Sequence, residues 1–474
     1  MFAFAVLVIL LFNNFCRCDG DGIYYQDHIV KFDSLCVEVG INIGEHVKLR
    51  ILGHLKATTA KVFVESVCPS IETMNDNSLV LALGNSSTSL TLIPKNELDA
   101  LPFESFYIRE KKFTKKRSIL ACNGRPLDPH RHRNITFNKE TIHYGAVLGS
   151  YACLELLGYA FLHPLSVYIP TSLYLNNSLE HMIIESPYWP SRIFHIHTQH
   201  PLEITEVLQG HDIPMFGPIG PHCQQFDRSR EREREKESEK EKNMGQEKAH
   251  YCERWEDMVN EVDKLFEWSI ANRLNAVEWL LLGNYKWGDF DSSDTRMKRL
   301  QVLTDLGHQY SLLVGADTPL GNIQQHGWYM VNVGLPFDQQ IKQIHNRVDW
   351  VFASGFDFLS TESGLSEFTH PECDLMLDLL NVYASYVNIT WGREAAVKVH
   401  CSTGQTCEQY TDPRTGEPVN FNFLPMFAVP QLGVLPHTVQ IYGLKDPSAG
   451  SYGNTQDFSH MEDYMFLEAE TGNR

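Results

Sequence analysis

From Cys252 to Tyr442 the chain repeats one alternation, an amphipathic helical stretch followed by a short apolar run. Trp255, Val259, Val262, Phe266 and Ile270 recur at helical spacing and lead into the apolar run 275–282. Met297, Leu300, Leu303, Leu306 and Tyr310 precede 311–316, and Phe337, Ile341, Ile344 and Val348 precede 356–360. Leu375, Leu379, Val382 and Tyr386 precede 395–400. Apolar residues three or four apart form one buried helix face, whereas a short unbroken apolar run suits a strand covered on both sides. Adding runs at 192–197 and 436–442 gives six β units. Strands separated by helices of this length pair in parallel. Polar residues at the C-terminal ends of short apolar strands favour a (β/α) barrel over a doubly wound sheet. A barrel closes with eight strands, so the expectation is an incomplete TIM-type barrel, truncated after strand six.

The upstream region reads as a separate small α/β domain. Strand-like runs fall at 47–52, 61–64, 78–83, 106–108 and 119–121, and Val147, Tyr151 and Leu154 mark a helix ended by Gly158. Pro164 and Pro170 lead to a linker at 185–190. Residues 226–250 hold a run of alternating charge that cannot bury apolar area and reads as a solvated insertion. The expected division is a signal peptide at 1–18, the small domain at 19–187 and the partial barrel at 188–474.

The apolar run from Phe2 to Phe12 is shorter than the ~20 residues of a membrane span. Cys16 and Cys18 are small residues at −3 and −1 to a cut before Asp19, which suits a signal peptide and a secreted or lysosomal protein. No later run is long enough to span a bilayer. Sequons at Asn85, Asn134, Asn176 and Asn388 agree with that route as glycosylation sites. Cys36 with Cys68, and Cys401 with Cys407, could close loops, though spacing leaves the pairing open. The formal charge of −19 argues against a nucleic-acid partner, whose phosphates demand a basic surface. Oligomeric state is not legible here.

Three stretches carry a resemblance. Residues 144–158 with Phe161 and Pro164, the Pro190–Phe194 opening, and residues 272–279 resemble glycoside hydrolases of the hexosaminidase or α-glucuronidase plan. The similarity covers most of residues 75–400. It implies a small zincin-like α/β domain (the second domain of hexosaminidases) followed by a catalytic (β/α)8 barrel that hydrolyses an O-glycosidic bond of a carbohydrate or glycoconjugate. No Asp-Glu pair closes the fourth strand as in hexosaminidases; Thr361 and Glu362 stand there instead.

Barrel active sites lie at the C-terminal strand ends. Those ends offer His195, His197 and His200 after strand one, Glu278 on strand two and Asp317 after strand three. Glu362 and Glu367 follow strand four, Lys398 and His400 lie on strand five, and His437, Gln440 and Tyr442 on strand six. Glycoside hydrolysis needs an acid and a second carboxylate. Glu362 is the general acid/base candidate and Glu367 its expected partner, although Glu367 also reads as a residue approaching a helix cap. His195, His197, His200, Asp317, Gln325, His326, Trp328, Lys398, His400, His437 and Tyr442 are the expected substrate-binding set. No cofactor is expected on this reading. Two alternatives stay open: a metal-dependent hydrolase with His195, His197, His400 and His437 as zinc ligands, and a non-catalytic carbohydrate-binding relative.

Overall fold

The computed structural model describes residues 29–128, 142–164, 166–176, 182–196, 255–283, 291–321, 327–364, 370–400, 405–413 and 416–437. The first part contains β1 (Ile29–Phe32), β2 (Ser34–Val39), α1 (Glu45–Lys56), β3 (Lys61–Val64), β4 (Ser78–Leu83), α2 (Ser87–Leu92) and α3 (Lys95–Asp99). β5 (Phe106–Thr114), β6 (Arg117–Gly124), α4 (Tyr144–Leu156), β7 (Ala160–His163), β8 (Ser166–Tyr168), β9 (Leu173–Asn176) and β10 (Met182–Glu185) follow. Six strands form one mixed sheet in the order β10-β5-β6-β4-β2-β3. The helix expected around Val147 is α4, buried from Tyr144 to Leu154, and Gly158 (φ 100°) supplies the left-handed turn beyond its end.

The strand expected at 47–52 is instead part of α1. Val47, Leu49 and Ile51 alternate as in a strand, yet the buried set is Val47, Ile51, Leu52 and Leu55, and Leu49 is 60% exposed. Leu, Lys and Arg are good helix formers, and Glu45 in the first turn with Lys56 in the last complements the helix dipole. Three alternating apolar residues did not distinguish the two periods.

The second part holds β11 (Ile193–Ile196), α5 (Trp255–Ala271), β12 (Ala276–Leu280), α6 (Asp294–Gln309), β13 (Leu313–Asp317), α7 (Phe337–Ala353), β14 (Phe358–Glu362), α8 (Cys373–Trp391) and β15 (Glu394–His400). A hairpin of β16 (Thr406–Thr411) and β17 (Pro418–Asn420) and a 3-10 turn (Phe421–Phe427) precede β18 (Leu432–His437). The sheet order β11-β12-β13-β14-β15-β18 is parallel throughout and forms a half-barrel. The last strand begins at Leu432, before the expected 436–442 run: Leu432 and Val434 pair with Ala395 and Val397, and residues beyond 437 lie outside the described part. Among the described residues no helix is long and apolar enough to cross a membrane.

Cys36 and Cys68 form the expected disulfide. Cys407 pairs with Cys373 rather than Cys401. The hairpin carries Cys407 on β16 back over the start of α8, where Cys373 is the first residue, so proximity in space overrides proximity in sequence.

The two parts dock through a buried ionic seam. Glu267 of α5, with its side chain fully buried, accepts from Arg50, from His54 Nε2 (2.8 Å) and from the Tyr151 hydroxyl (2.9 Å). Asp263, one turn earlier, meets His46 Nε2 (2.7 Å), the Tyr310 hydroxyl (2.7 Å) and Arg50 (3.4 Å). Arg192, next to β11, reaches back to Glu104 at 2.8 Å. Both oxygens of Glu267 are satisfied, the condition under which a buried carboxylate holds elements together rather than destabilising them.

Candidate active site

The parallel register places one set of side chains on the sheet face opposite the helices. His195 pairs with Glu278, Leu280 with Asp317, Asp317 with Ser360, and Glu362 with Lys398. Directly paired residues share a face, and steps of two along a strand preserve it. His195, Glu278, Asp317, Ser360, Glu362 and Lys398 therefore all point inward. The intervening Trp279, Leu359 and Val397 point to the helix side and are buried.

Gly315 opens the room beneath these groups. It stands opposite Phe358, and a Cβ there would fall 2.2 Å from the Phe358 ring. The aromatic ring thus fills the space under the charged layer, and only glycine permits it.

Five of these residues form one chain of contacts. His195 Nδ1 lies 2.7 Å from Glu278 Oε2, and Lys398 Nζ lies 3.1 Å from His195 Nε2. Lys398 also donates to Asp317, and it meets Glu362 Oε1 at 2.9 Å. An ammonium can only donate. His195 Nε2 therefore accepts, with the ring proton on Nδ1 donated to Glu278. Lys398 spends its three donors on three acceptors. Glu278 and Asp317 are 1% and 0% exposed; Asp317 Oδ1 is buried without a hydrogen-bond partner, and Glu278 has the Ser360 hydroxyl beside it as a donor.

Burial sets the electrostatics. For Asp317 it is the largest influence and pushes the carboxyl above its ordinary value; Lys398 pulls it down, and the nearby Glu362 adds to the rise. For Glu278 burial again pushes up, but His195 and Lys398 outweigh it and hold the carboxyl below the usual range. Burial opposes the charge on Lys398, yet Asp317, Glu362 and Glu278 together raise it and keep it an ammonium. Tyr383, whose hydroxyl donates to the Leu359 carbonyl behind the sheet, is raised by its burial and by Asp317 and Glu278.

Of the residues expected from sequence, the structure brings His195, Asp317, Glu362 and Lys398 together. His400 and His437 are paired across β15 and β18, but their side chains lie outside the described part. His197, His200, Gln325, His326, Glu367 and Tyr442 lie outside the described residues altogether. Trp328 is 6% exposed, with the Arg347 guanidinium 3.1 Å from its ring centroid and Trp350 against it at 4.7 Å. Its faces are taken by packing partners, which leaves none for a sugar ring. His195 has both ring nitrogens engaged, one by an ammonium, an arrangement that does not suit a zinc ligand. Among the described residues, no three His, Cys, Asp or Glu are grouped to hold a metal ion. Asn85 and Asn388 are exposed; Asn176 ends β9, and Asn134 lies outside the described residues.

The Glu278–His195 pair was the part least legible in sequence. Its signal was a single carboxylate inside the otherwise apolar strand 276–280, which has to find a buried partner.

No family model and no curated protein matches the chain. Among solved structures it is similar to glycoside hydrolases. CpGH84B is 10% identical with a TM-score of 0.42, over 86% of this chain and 53% of that one. The beta-N-acetylhexosaminidase from Bacteroides fragilis NCTC 9343 is 10% identical with a TM-score of 0.40, over 78% and 63%. A GH138 enzyme targeting pectin rhamnogalacturonan II is 9% identical with a TM-score of 0.41, over 85% and 38%. The chain spans between about a third and two thirds of the length of these structures.

Proposed function

We propose that the chain is a glycoside hydrolase in which Glu362 is the general acid/base and Asp317 the second carboxylate. One observation carries this reading: two carboxylates from neighbouring strands share a single ammonium, Lys398, on the inner face of the sheet. Two oxygens bonded to one nitrogen stand no farther apart than the ~5–5.5 Å of a retaining pair. Asp317 takes the place expected for Glu367, because it shares Lys398 with Glu362.

In the reaction Glu362, the less buried of the two, protonates the leaving oxygen. Asp317 meets the oxocarbenium charge as nucleophile, and Glu362 then takes a proton from the attacking water. Lys398 orients both carboxylates. Asp317 must be ionised to act, and its raised value places the acid limb of the activity above that of an ordinary aspartate. The wider proposal is a secreted or lysosomal glycoprotein with a signal peptide at 1–18, glycans at Asn85 and Asn388, and domains at 19–187 and 188–474.

The test is a panel of aryl glycosides assayed with the wild type and Glu362→Gln. Loss of general acid–base catalysis costs about 10²–10⁴-fold. Normal turnover by a folded Glu362→Gln protein removes the assignment.

A further inference from the structure

We propose that Cys122 and Cys153 are a modification site, joined in the mature protein as a disulfide that clamps α4 to β6. The inference is independent of the glycosidase reading. It rests on the cysteines of the first part of the chain and on the oxidising conditions that the bonds Cys36–Cys68 and Cys373–Cys407 already require.

Six cysteines lie among the described residues, and four of them make those two bonds. The other two have found each other. Cys122 on β6 and Cys153 on α4 are unbonded thiols, both fully buried, and they hydrogen-bond to one another. In an oxidising compartment a cysteine stays reduced for want of a partner within reach, and here each has one.

Glycines explain why the two meet. A Cβ on Gly124 would fall 2.0 Å from the Gly145 carbonyl carbon, and one on Gly149 would fall 3.1 Å from Phe106 Cβ. The helix therefore lies against the sheet almost backbone to backbone. Gly145, Gly149 and Cys153 are spaced by four and line one stripe of α4. Cys122 stands two residues before Gly124 and shares its face of β6. Its Sγ lies 3.6 Å from Ser150 Oγ. Ser150 and Cys153 are three residues apart on the helix, and a helical side chain leans toward the N-terminus, which carries Cys153 back over Ser150 to Cys122.

The bond forms by exchange with a donor disulfide, that of an oxidoreductase or of glutathione. The Cys122 thiolate attacks one donor sulfur and expels the other as a thiolate. The Cys153 thiolate then attacks the mixed disulfide at the Cys122 sulfur and releases the second donor thiolate. Two cysteine thiols lose two electrons and two protons, and the donor disulfide takes up both to become two thiols. Burial pushes the Cys153 thiol well above its ordinary value, so the closed core disfavours the attacking thiolate. Exchange accordingly precedes the closure of α4 over β6 during folding. The clamp then holds the helix whose Tyr151 hydroxyl reaches Glu267 and whose Tyr144 hydroxyl reaches the Leu274 carbonyl.

The test maps the thiols of the whole chain produced through a secretory pathway. The protein is unfolded in guanidinium with N-ethylmaleimide and no reductant, digested, and read by mass spectrometry. The expected result is that most molecules carry a Cys122–Cys153 linked peptide pair, free of maleimide, that separates on reduction with one hydrogen gained by each peptide. In Cys153→Ala, Cys122 should take up maleimide instead. Maleimide on both Cys122 and Cys153 in most wild-type molecules overturns the proposal, and so does a link from either of them to any other cysteine. The wild-type map decides the question even if the variant fails to fold.

Discussion

Two buried clusters among the described residues combine the same kinds of side chain, and their carboxylates are unequally matched. At the seam between the first, mixed-sheet part and the half-barrel, Glu267 and Asp263 are matched by Arg50, His46, His54 and two tyrosine hydroxyls, and both oxygens of Glu267 are bonded. On the inner sheet face, Glu278, Asp317 and Glu362 share Lys398 and His195, and Asp317 Oδ1 is left without a donor. The carboxyls respond in opposite directions. Burial pushes Glu267 up, but His54 and Arg50 prevail and hold it below its ordinary value. Burial of Asp317 prevails over Lys398 and leaves it raised. A saturated cluster stabilises the fold; an unsaturated one keeps capacity for a ligand and costs stability.

The widest gap between the clusters should come from deleting one carboxylate in each. Glu267→Ala leaves Arg50 buried without its main partner and is expected to cost about 3–5 kcal/mol. Glu362→Gln keeps a side-chain oxygen for Lys398, so it should cost less stability than Glu267→Ala while removing about 10²–10⁴-fold of activity. Urea unfolding alongside aryl-glycoside turnover checks both. Equal stability losses would show that the inner cluster is also structural glue.

A smaller effect tests the floor of the site. Gly315→Ala drives a methyl into the Phe358 ring, and overpacking of this kind costs about 1–3 kcal/mol. The Phe358 ring should be pushed toward Asp317, so activity should fall more than stability does. Gly315→Ala with Phe358→Leu should restore both in thermal melts and assays.

Acid titration distinguishes the clusters by sign. Glu267 has a depressed folded value, so its stabilisation is complete above the unfolded carboxylate range of ~4.3 and is lost as pH falls through the folded value. Asp317 is raised, so the native state binds its proton more readily and the cost of its charge grows as pH rises from ~3.9 through the folded value. Melting temperatures between pH 3 and pH 6 should flatten on the acid side in Glu267→Gln. In Asp317→Asn the decline with rising pH should disappear. Unchanged slopes in both would contradict the assignment.

The least change expected is in Glu278→Gln. Removing its charge takes away one of the influences that raise Asp317. The acid limb of the activity should move to lower pH by a few tenths of a unit. A limb that stays in place would mean that Asp317 does not set it.

Much of the fold was written in period and order. The helices marked by Val262, Phe266 and Ile270, by Leu300, Leu303 and Leu306, and by Ile344 and Val348 are all present, because their apolar residues repeat over three or more turns. Residues 47–52 misled for the opposite reason: six residues hold too few repeats to separate period 2 from period 3.6. Glu362 and Lys398 were legible as polar ends of apolar strands.

The sequence by itself therefore determined the alternation of strand and helix, and with it a parallel sheet whose C-terminal strand ends carry the ionisable groups. Tertiary structure decided which of those groups meet. Register put Asp317 and Glu362 on one lysine and joined Glu278 to His195 across strands 83 residues apart in the chain. It likewise chose Cys373 over Cys401 for Cys407. A strand pattern gives the face of each side chain, since that depends on local backbone geometry alone. Partners depend on how neighbouring strands are staggered, and the stagger is set by packing over the whole sheet.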